Sequence, residues 1–149
     1  MKMQITREFL RRLPKSDLHL HLDGSIRIPT LIELARASSV DLPSQTEEGL
    51  RELVFKDQYA NLEEYLRGFS YTVPVMQNPE QLARVAYELA QDNQEEGVRY
   101  IEVRFAPQLH VHADFDTIAV LRAVNEGLAR AKKEFNQRSE VADGSEPPF

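Results

Sequence analysis

Two histidines two residues apart, His19 and His21, are the residues of this sequence best suited to bind a metal ion. They belong to an alternating run, residues 16–24, in which Asp17 and Asp23 supply the other polar positions. Side chains at every second position of an extended strand share a face, so we expect the two aspartates and the two histidines to point the same way. Two imidazoles on one strand can reach one metal ion, and nearby carboxylates can orient a ring N–H or hold a hydroxyl. The run predicts a cation site on a strand.

The same run has a simpler interpretation, an amphipathic strand with an apolar face on a core and a polar face in water. Leu18, Leu20 and Leu22 would form the apolar face. Two observations favour the cation site. The polar positions hold only His and Asp, which are common ligand types, and Gly24 ends the run, as where a strand gives way to a loop with close backbone approach.

Three segments carry a resemblance to a known family. Residues 13–25 closely resemble the first-strand signature of the adenosine deaminases, metal-dependent (β/α)8-barrel hydrolases of the amidohydrolase superfamily. Residues 100–110 resemble the second barrel strand and the loop after it, and residues 62–71 resemble the helical segment above the pocket. The matches are collinear over about residues 13–133. The resemblance implies an α/β fold, the helix-rich N-terminal portion of a (β/α)8 TIM barrel of the metallo-dependent hydrolase type.

The resemblance also implies an activity and a set of site residues. The activity is hydrolytic deamination of adenosine and deoxyadenosine to inosine and ammonia by a metal-activated hydroxide, with Zn²⁺ as the expected cofactor. His19 and His21 would bind the metal, and Asp23 would hydrogen-bond the ribose. The related adenine deaminases carry Glu at this last position, so Asp23 favours a nucleoside over a free base.

Three residues with helical spacing, Leu62, Tyr65 and Phe69, have two interpretations. Positions i, i+3 and i+7 ordinarily form the buried stripe of a helix. The resemblance instead implies that these side chains surround the pocket mouth and cover the purine and ribose. We therefore include them in the predicted substrate site.

Two alternatives to an adenosine deaminase stay open at the level of sequence. One is a deaminase of a related purine, such as adenine, AMP or a modified nucleoside. The other is a non-catalytic binding module that keeps the strand motif alone. The sequence beyond this segment would distinguish them, because the family places a further His, an Asp ligand, a proton-donating Glu and a hydroxide-orienting His on later strands.

The length of 149 residues is short for the implied fold. A (β/α)8 barrel takes about 250 residues and at least about 200. We therefore expect residues 1–149 to be the first two βα units, with inserted helices, of a single barrel domain, and residues 139–149 to be a connecting loop or truncated end. The remainder of the barrel would be a missing or separate C-terminal segment, and the isolated chain is expected to be inactive. A helix-rich module complete in itself is the rival interpretation.

Composition excludes several other classes of protein. The net charge of −6 argues against a nucleic-acid or anionic-membrane surface, because binding phosphates needs a basic patch. The absence of cysteine excludes disulfides, thiolate zinc sites and the zinc deaminases whose signature needs a Cys-x-x-Cys element. No stretch approaches the length of a membrane span, so a cytoplasmic protein is expected.

Hydrophobic periodicity and turn signals predict the remaining elements. They are a short helical turn over 7–13, a strand over 16–22, a helix from Pro29 to Ser38, a helix opened by a Ser44–Glu47 capping box, a helix from Asn61 to about Pro74, a helix from Asn78 to Gly97, a strand over 98–105 and a helix over 117–138.

Five further charged or histidine residues are expected to lie outside the metal and substrate sites. Glu102 and Arg104 share a face of the second strand, and two charges inside a barrel are costly unless they pair, so we expect a structural ion pair. His110 and His112 form a second His-x-His sequence, but they follow Pro107 in a loop, and we expect both to be solvent-exposed. Asp17 is expected to anchor its strand by hydrogen bonds.

Overall fold

The computed structural model describes residues 5–149. Eight α-helices and two β-strands are assigned within this range, with 3-10 turns at Val73–Val75 and Pro107–Leu109. In chain order the elements are α1 (Arg7–Arg12), β1 (Lys15–His21), α2 (Ile28–Ala37), α3 (Glu47–Leu53), α4 (Leu62–Leu66), α5 (Phe69–Thr72), α6 (Pro79–Glu95), β2 (Val98–Arg104), α7 (Thr117–Asn136) and α8 (Ser139–Ala142).

The two strands form a parallel sheet, β1 beside β2, as the sequence predicts. The crossover between them contains α2 to α6. The connection from α6 to β2 turns at Gly97, whose φ of 84° lies in the left-handed region that favours glycine. The Gly97 carbonyl also accepts a hydrogen bond from the Lys15 backbone N–H at 3.1 Å, which fixes the amino ends of the strands together.

A β-bulge interrupts β1 between Asp17 and Leu20, where three steps along β1 match two along β2. The His19 backbone N–H donates to the Asp17 carboxylate at 3.2 Å, which confirms a local hydrogen-bonding role for Asp17. The exposure pattern changes phase at the bulge. Asp17 is half-buried like Leu20, whereas Leu18 is 58% exposed like the exposed His19. The predicted single face was therefore wrong for Asp17 and Leu18, because a bulge reverses the alternation, and it holds from His19 onward.

The core lies between the sheet and the helices of the crossover, with α7 packed along α6. Hydrophobic spacing predicts one apolar face on α6, and the structure confirms it, since all five of its members are buried: Leu82, Val85, Ala86, Leu89 and Ala90. Asn78 begins this helix by accepting from the Gln81 N–H at 2.9 Å, and Pro79 occupies its first turn.

Hydrophobic spacing predicts a buried stripe on α7 that consists of Ile118, Leu121, Val124, Leu128, Ala131 and Phe135. Val124, Ala131 and Phe135 are buried as predicted, but the first part of the helix differs. Ile118 and Leu121 are 54% and 43% exposed, and Val120, Ala123 and Gly127 are buried in their place. A Cβ on Gly127 would lie 2.1 Å from the backbone oxygen of Ala83 in α6, so the glycine permits a close helix approach. Small residues at this contact determine which face of α7 turns toward α6. Hydrophobic spacing alone does not predict that face.

Two other helix predictions need correction. Thr46, and not Ser44, caps α3: its hydroxyl accepts from the Gly49 N–H at 3.1 Å, while Ser44 accepts from the Thr46 N–H at 3.2 Å. The single helix expected from Asn61 to Pro74 is divided into α4, α5 and a 3-10 turn. The break lies at Gly68, where a Cβ would lie 3.2 Å from the ring of Phe55, so the ring packs directly on the backbone.

The segment after α7 is more ordered than its polar composition predicts. It begins with α8 and then returns to α7, where Asn136 exchanges two hydrogen bonds with the backbone of Phe149 at 2.8 and 3.1 Å. Glu146 forms an ion pair with Arg99 of β2. Residues 139–149 therefore pack against the helical layer.

No helix in the described range combines the length and apolar character that crossing a membrane would require.

Candidate functional site

His19 and His21 converge at the carboxyl end of β1. Their Nε2 atoms lie 3.2 Å apart and their ring centroids 5.1 Å apart, and the side chain of His21 is 54% exposed. The bulge before His19 and the return to regular pairing at Leu20 and His21 place both rings on the open side of the sheet. The pairing predicted from the sequence is thus present in the structure.

The separation of these nitrogens fits two ligands of one metal ion. Zn–N bonds of about 2.0–2.1 Å in a tetrahedral site place two ligand nitrogens roughly 3.3–3.4 Å apart. Two Nε2 lone pairs held 3.2 Å apart without a cation between them would repel unless one nitrogen were protonated. Within residues 5–149, no group of three or more His, Cys, Asp or Glu side chains is arranged to hold a metal. The two Nε2 atoms can supply two ligands, and a complete zinc site needs more.

Asp23 lies beside the histidine pair and is almost completely buried, at 7% exposure. Its Oδ1 lies 3.6 Å from Nδ1 of His21, which is beyond hydrogen-bonding distance, and this oxygen has no partner in the described part of the chain. A buried carboxylate oxygen without a donor is costly, so an acceptor at this position is available to a ligand or to an ordered water.

Asp23 opens onto a small cavity of about 50 Å³ that also involves α4 and α5. The cavity contains two of the three predicted covering residues, Tyr65 and Phe69, whose rings meet edge-on with centroids 6.2 Å apart. Ligand pockets for small molecules usually have about 300–1,000 Å³, so this cavity alone is too small to hold a nucleoside. Leu62 is 69% exposed and does not line the cavity.

Three cavity residues were not predicted from the sequence: Phe55, Tyr59 and Thr72. Phe55 and Tyr59 come from the loop before α4, and Tyr59 packs edge-on against Tyr65 with centroids 5.2 Å apart. Aromatic residues in a loop are a recognisable signal, but only the folded backbone shows that this loop reaches Asp23.

His110 is not the exposed loop residue that its sequence position predicts. The 3-10 turn at Pro107–Leu109 directs it inward, where it is completely buried and its Nδ1 lies 2.8 Å from the backbone oxygen of Met76. Burial lowers the pKa of His110, against smaller opposing effects of the Met76 hydrogen bond and the negative charge of Asp23. His112 is exposed, as predicted, with its Nε2 3.0 Å from the backbone oxygen of Gln77.

Other polar groups of the sheet have structural explanations. The predicted pair is confirmed, since Arg104 donates to Glu102 at 2.9 Å, although both side chains are solvent-accessible, at 52% and 39%. A larger cavity of about 380 Å³ lies at the opposite end of β2 and includes Arg99, Arg138 and Glu146. This cavity is therefore separate from the candidate metal site at the carboxyl end of β1.

Comparison with known proteins identifies the family of this arrangement. The family model described as adenosine deaminase matches residues 14–142, which include β1, the whole crossover, β2 and α7. The chain belongs to the adenosine deaminase family. The range includes the His pair, Asp23 and the cavity of α4 and α5.

The relatives are longer than this chain. An adenosine deaminase from Vibrio atlanticus is 40% identical over 124 residues, which cover 83% of this chain and 37% of the relative. An adenosine deaminase from Shewanella halifaxensis is 43% identical over 122 residues, 81% of this chain and 37% of the relative. The chain therefore spans a little over a third of these relatives.

Solved structures support the same fold. An amidohydrolase from Burkholderia ambifaria with bound Zn matches with a TM-score of 0.74 and 24% identity, covering 90% of this chain and 37% of that one. An N6-mAMP deaminase from Arabidopsis matches with a TM-score of 0.67 and 28% identity, covering 85% and 37%. The predicted fold class is confirmed: the chain is a helix-rich N-terminal portion of an amidohydrolase TIM barrel with a short parallel sheet.

Proposed function

We propose that this chain forms part of a zinc-dependent enzyme that hydrolyses adenosine and deoxyadenosine to inosine and ammonia. The observation that carries the proposal is the pair of Nε2 atoms of His19 and His21, 3.2 Å apart beside the buried Asp23 carboxylate. Membership of the adenosine deaminase family supports the reaction type. The active unit would be the assembled barrel, meaning this chain together with the remaining strands, on the same or a second polypeptide.

The family resemblance suggests a role for each residue of the proposed site, and the position of each residue is compatible with that role. His19 and His21 would bind the metal through Nε2, which leaves Nδ1 of each ring protonated, and the Nδ1–H of His21 then faces Oδ1 of Asp23. A bound zinc ion supplies Lewis-acid chemistry that lowers the pKa of water to about 7. Asp23 would accept a hydrogen bond from a sugar hydroxyl. Tyr65 and Phe69 would cover the nucleoside and exclude water, with Leu62 at the exposed rim.

The proton donor is expected outside this chain. The proposal requires further metal ligands, a Glu that protonates the purine ring and a His that orients the hydroxide, and it assigns all of these to the remaining strands. We therefore assign no catalytic residue to residues 1–149 and expect the isolated chain to be inactive. A cytoplasmic location stays a prediction.

A nucleotide is the second candidate substrate, since the structural neighbours include the Arabidopsis N6-mAMP deaminase. The charge of Asp23 favours the nucleoside. A carboxylate that is 7% exposed and close to the sugar would repel a phosphate group in a site where water screens charges poorly.

A substrate panel tests the proposed function. Adenosine, deoxyadenosine, adenine, AMP and N6-methyl-AMP are assayed for ammonia release with the zinc-loaded assembled barrel. We expect turnover of the two nucleosides, and Asp23→Asn should raise their KM by about 10–100-fold, because a hydrogen bond to a charged group contributes about 1.5–3 kcal/mol. Preference for adenine or AMP would contradict the substrate assignment. Metal binding without any turnover would identify a binding module.

A further inference from the structure

Apart from Nε of Arg99, three buried polar side-chain atoms from three separate segments have no hydrogen-bond partner among the described residues. They are Oδ1 of Asp23, after β1, Oγ1 of Thr72, in α5, and Nε2 of His110, after β2. The exposures of these residues are 7%, 2% and 0%. Buried polar groups are almost always satisfied in folded proteins, so a shared partner is expected where several unsatisfied atoms occur together.

The hydrogen bond of His110 fixes its tautomer. The backbone oxygen of Met76 can only accept, so Nδ1 of His110 must carry the proton that it donates across 2.8 Å. Because burial lowers the pKa of the ring, His110 is neutral at pH 7 and Nε2 is a bare acceptor. Asp23 is an acceptor as well. Two acceptors cannot bond to each other, and only a donor between them satisfies both.

The cavity beside Asp23 has room for that donor. Asp23 and Thr72 line the same space of about 50 Å³, and a water needs about 10–15 Å³. A water molecule in this cavity can donate a hydrogen bond to the Asp23 carboxylate and accept one from the Thr72 hydroxyl. His110 does not line the cavity, but it is close enough to feel the charge of Asp23, so a second water would extend the contact to its Nε2. A short chain of waters would satisfy all three atoms.

We propose that His110 and Thr72 are positioning residues for Asp23: through ordered water they occupy its oxygen Oδ1 and hold the carboxylate in the orientation that binds the sugar hydroxyl. The expected effect on affinity rests on the proposed function, because the orientation of the Asp23 carboxylate affects KM only if Asp23 binds the nucleoside. The proposed function assigns neither residue a contact with the metal or the purine. Their effect should therefore be on substrate binding and leave the chemical step unchanged.

Paired variants of His110 separate this role from a general structural role. Asn in place of His110 keeps a donor for the Met76 oxygen but removes the acceptor at the Nε2 position. His110→Asn is expected to raise KM for adenosine about tenfold with little change in kcat. His110→Gln returns a polar amide near the Nε2 position and should restore part of the affinity. His112→Asn is the matched control, because the ring of His112 is exposed and its one hydrogen bond among the described residues is with the Gln77 backbone oxygen.

A second set of variants covers the case in which His110→Asn does not fold. Thr72→Val removes one hydroxyl and keeps the shape of the side chain, and it should raise KM several-fold. Combined with Asp23→Asn, neither His110→Asn nor Thr72→Val should raise KM further, because each acts through the Asp23 carboxylate. An unchanged KM in both single variants, or the full increase in the Asp23→Asn background, would overturn the inference.

A direct structural measurement distinguishes this inference from the proposed function. A high-resolution crystal structure of the wild-type assembled barrel should show ordered water bonded to Oδ1 of Asp23 and Nε2 of His110. Electron density that shows no such water would overturn the inference, even if the assembled barrel is an active deaminase. If the wild-type barrel fails to deaminate adenosine, the proposed function is wrong. The presence or absence of the ordered water still shows whether His110 and Thr72 position Asp23.

Discussion

Replacing His19 or His21 with alanine is expected to remove bound zinc from the assembled barrel and to lower kcat/KM for adenosine by more than about 100-fold. The reason is that each Nε2 would supply one of few metal ligands, and even residues that only orient a ligand change affinity or activity by about 10–100-fold. Metal content by mass spectrometry under native conditions and ammonia release by steady-state assay measure the two effects.

The second His-x-His sequence provides the control. His112→Ala changes a histidine in the same local sequence pattern, but its ring is exposed and bonds a backbone oxygen, so zinc content and turnover should stay at the wild-type level. Normal zinc content and normal activity in either His19→Ala or His21→Ala would show that the pair is not a metal site.

Replacing Gly97 with alanine is expected to lower the free energy of unfolding by about 3 kcal/mol or more. Two effects add. The φ of 84° costs an L-residue about 1–2 kcal/mol, and the new Cβ would lie 1.8 Å from the backbone oxygen of Arg11, so the backbone must move. That movement would disturb the contact of α1 with the start of both strands, where Lys15 bonds the Gly97 carbonyl. Urea unfolding of the wild-type and variant proteins measures the change.

Gly144 separates the two effects in the same protein. Its φ is 79°, but no atom lies within 4 Å of the position that a Cβ would occupy. Gly144→Ala should therefore cost about 1–2 kcal/mol, the conformational part alone. Equal losses in the two variants would mean that the close approach of Arg11 to Gly97 contributes nothing to stability.

The parts of the fold that depend on local chemistry could be predicted from the sequence. Asn78 and Pro79 begin α6 because an amide side chain caps the helix and a proline fits its first turn, and Gly97 ends the turn before β2 because it tolerates a positive φ. The convergence of His19 and His21 follows from strand periodicity over two residues.

Features that depend on neighbouring elements could not be predicted in this way. The rotation of α7 is set by the close contact of Gly127 with Ala83, and the burial of His110 depends on a bond to Met76, which lies 34 residues away in sequence. The division of the helix before Pro74 depends on the ring of Phe55 against Gly68. Each of these is a contact between segments whose relative positions hydrophobic spacing does not encode.

The bulge in β1 has a consequence for how this strand tolerates insertions and deletions. Leu18 is the additional residue of the bulge: without it, Asp17 would precede His19 directly, and the observed alternation of half-buried and exposed positions would be continuous. Ser16 and Asp17 thus pair with β2 one residue out of the register that Lys15, Leu20 and His21 share. A length change of one residue at the bulge is expected to alter the pairing of Ser16 and Asp17 and to leave the pairing of Leu20 and His21 with β2 unchanged, so that His19 and His21 keep their shared face.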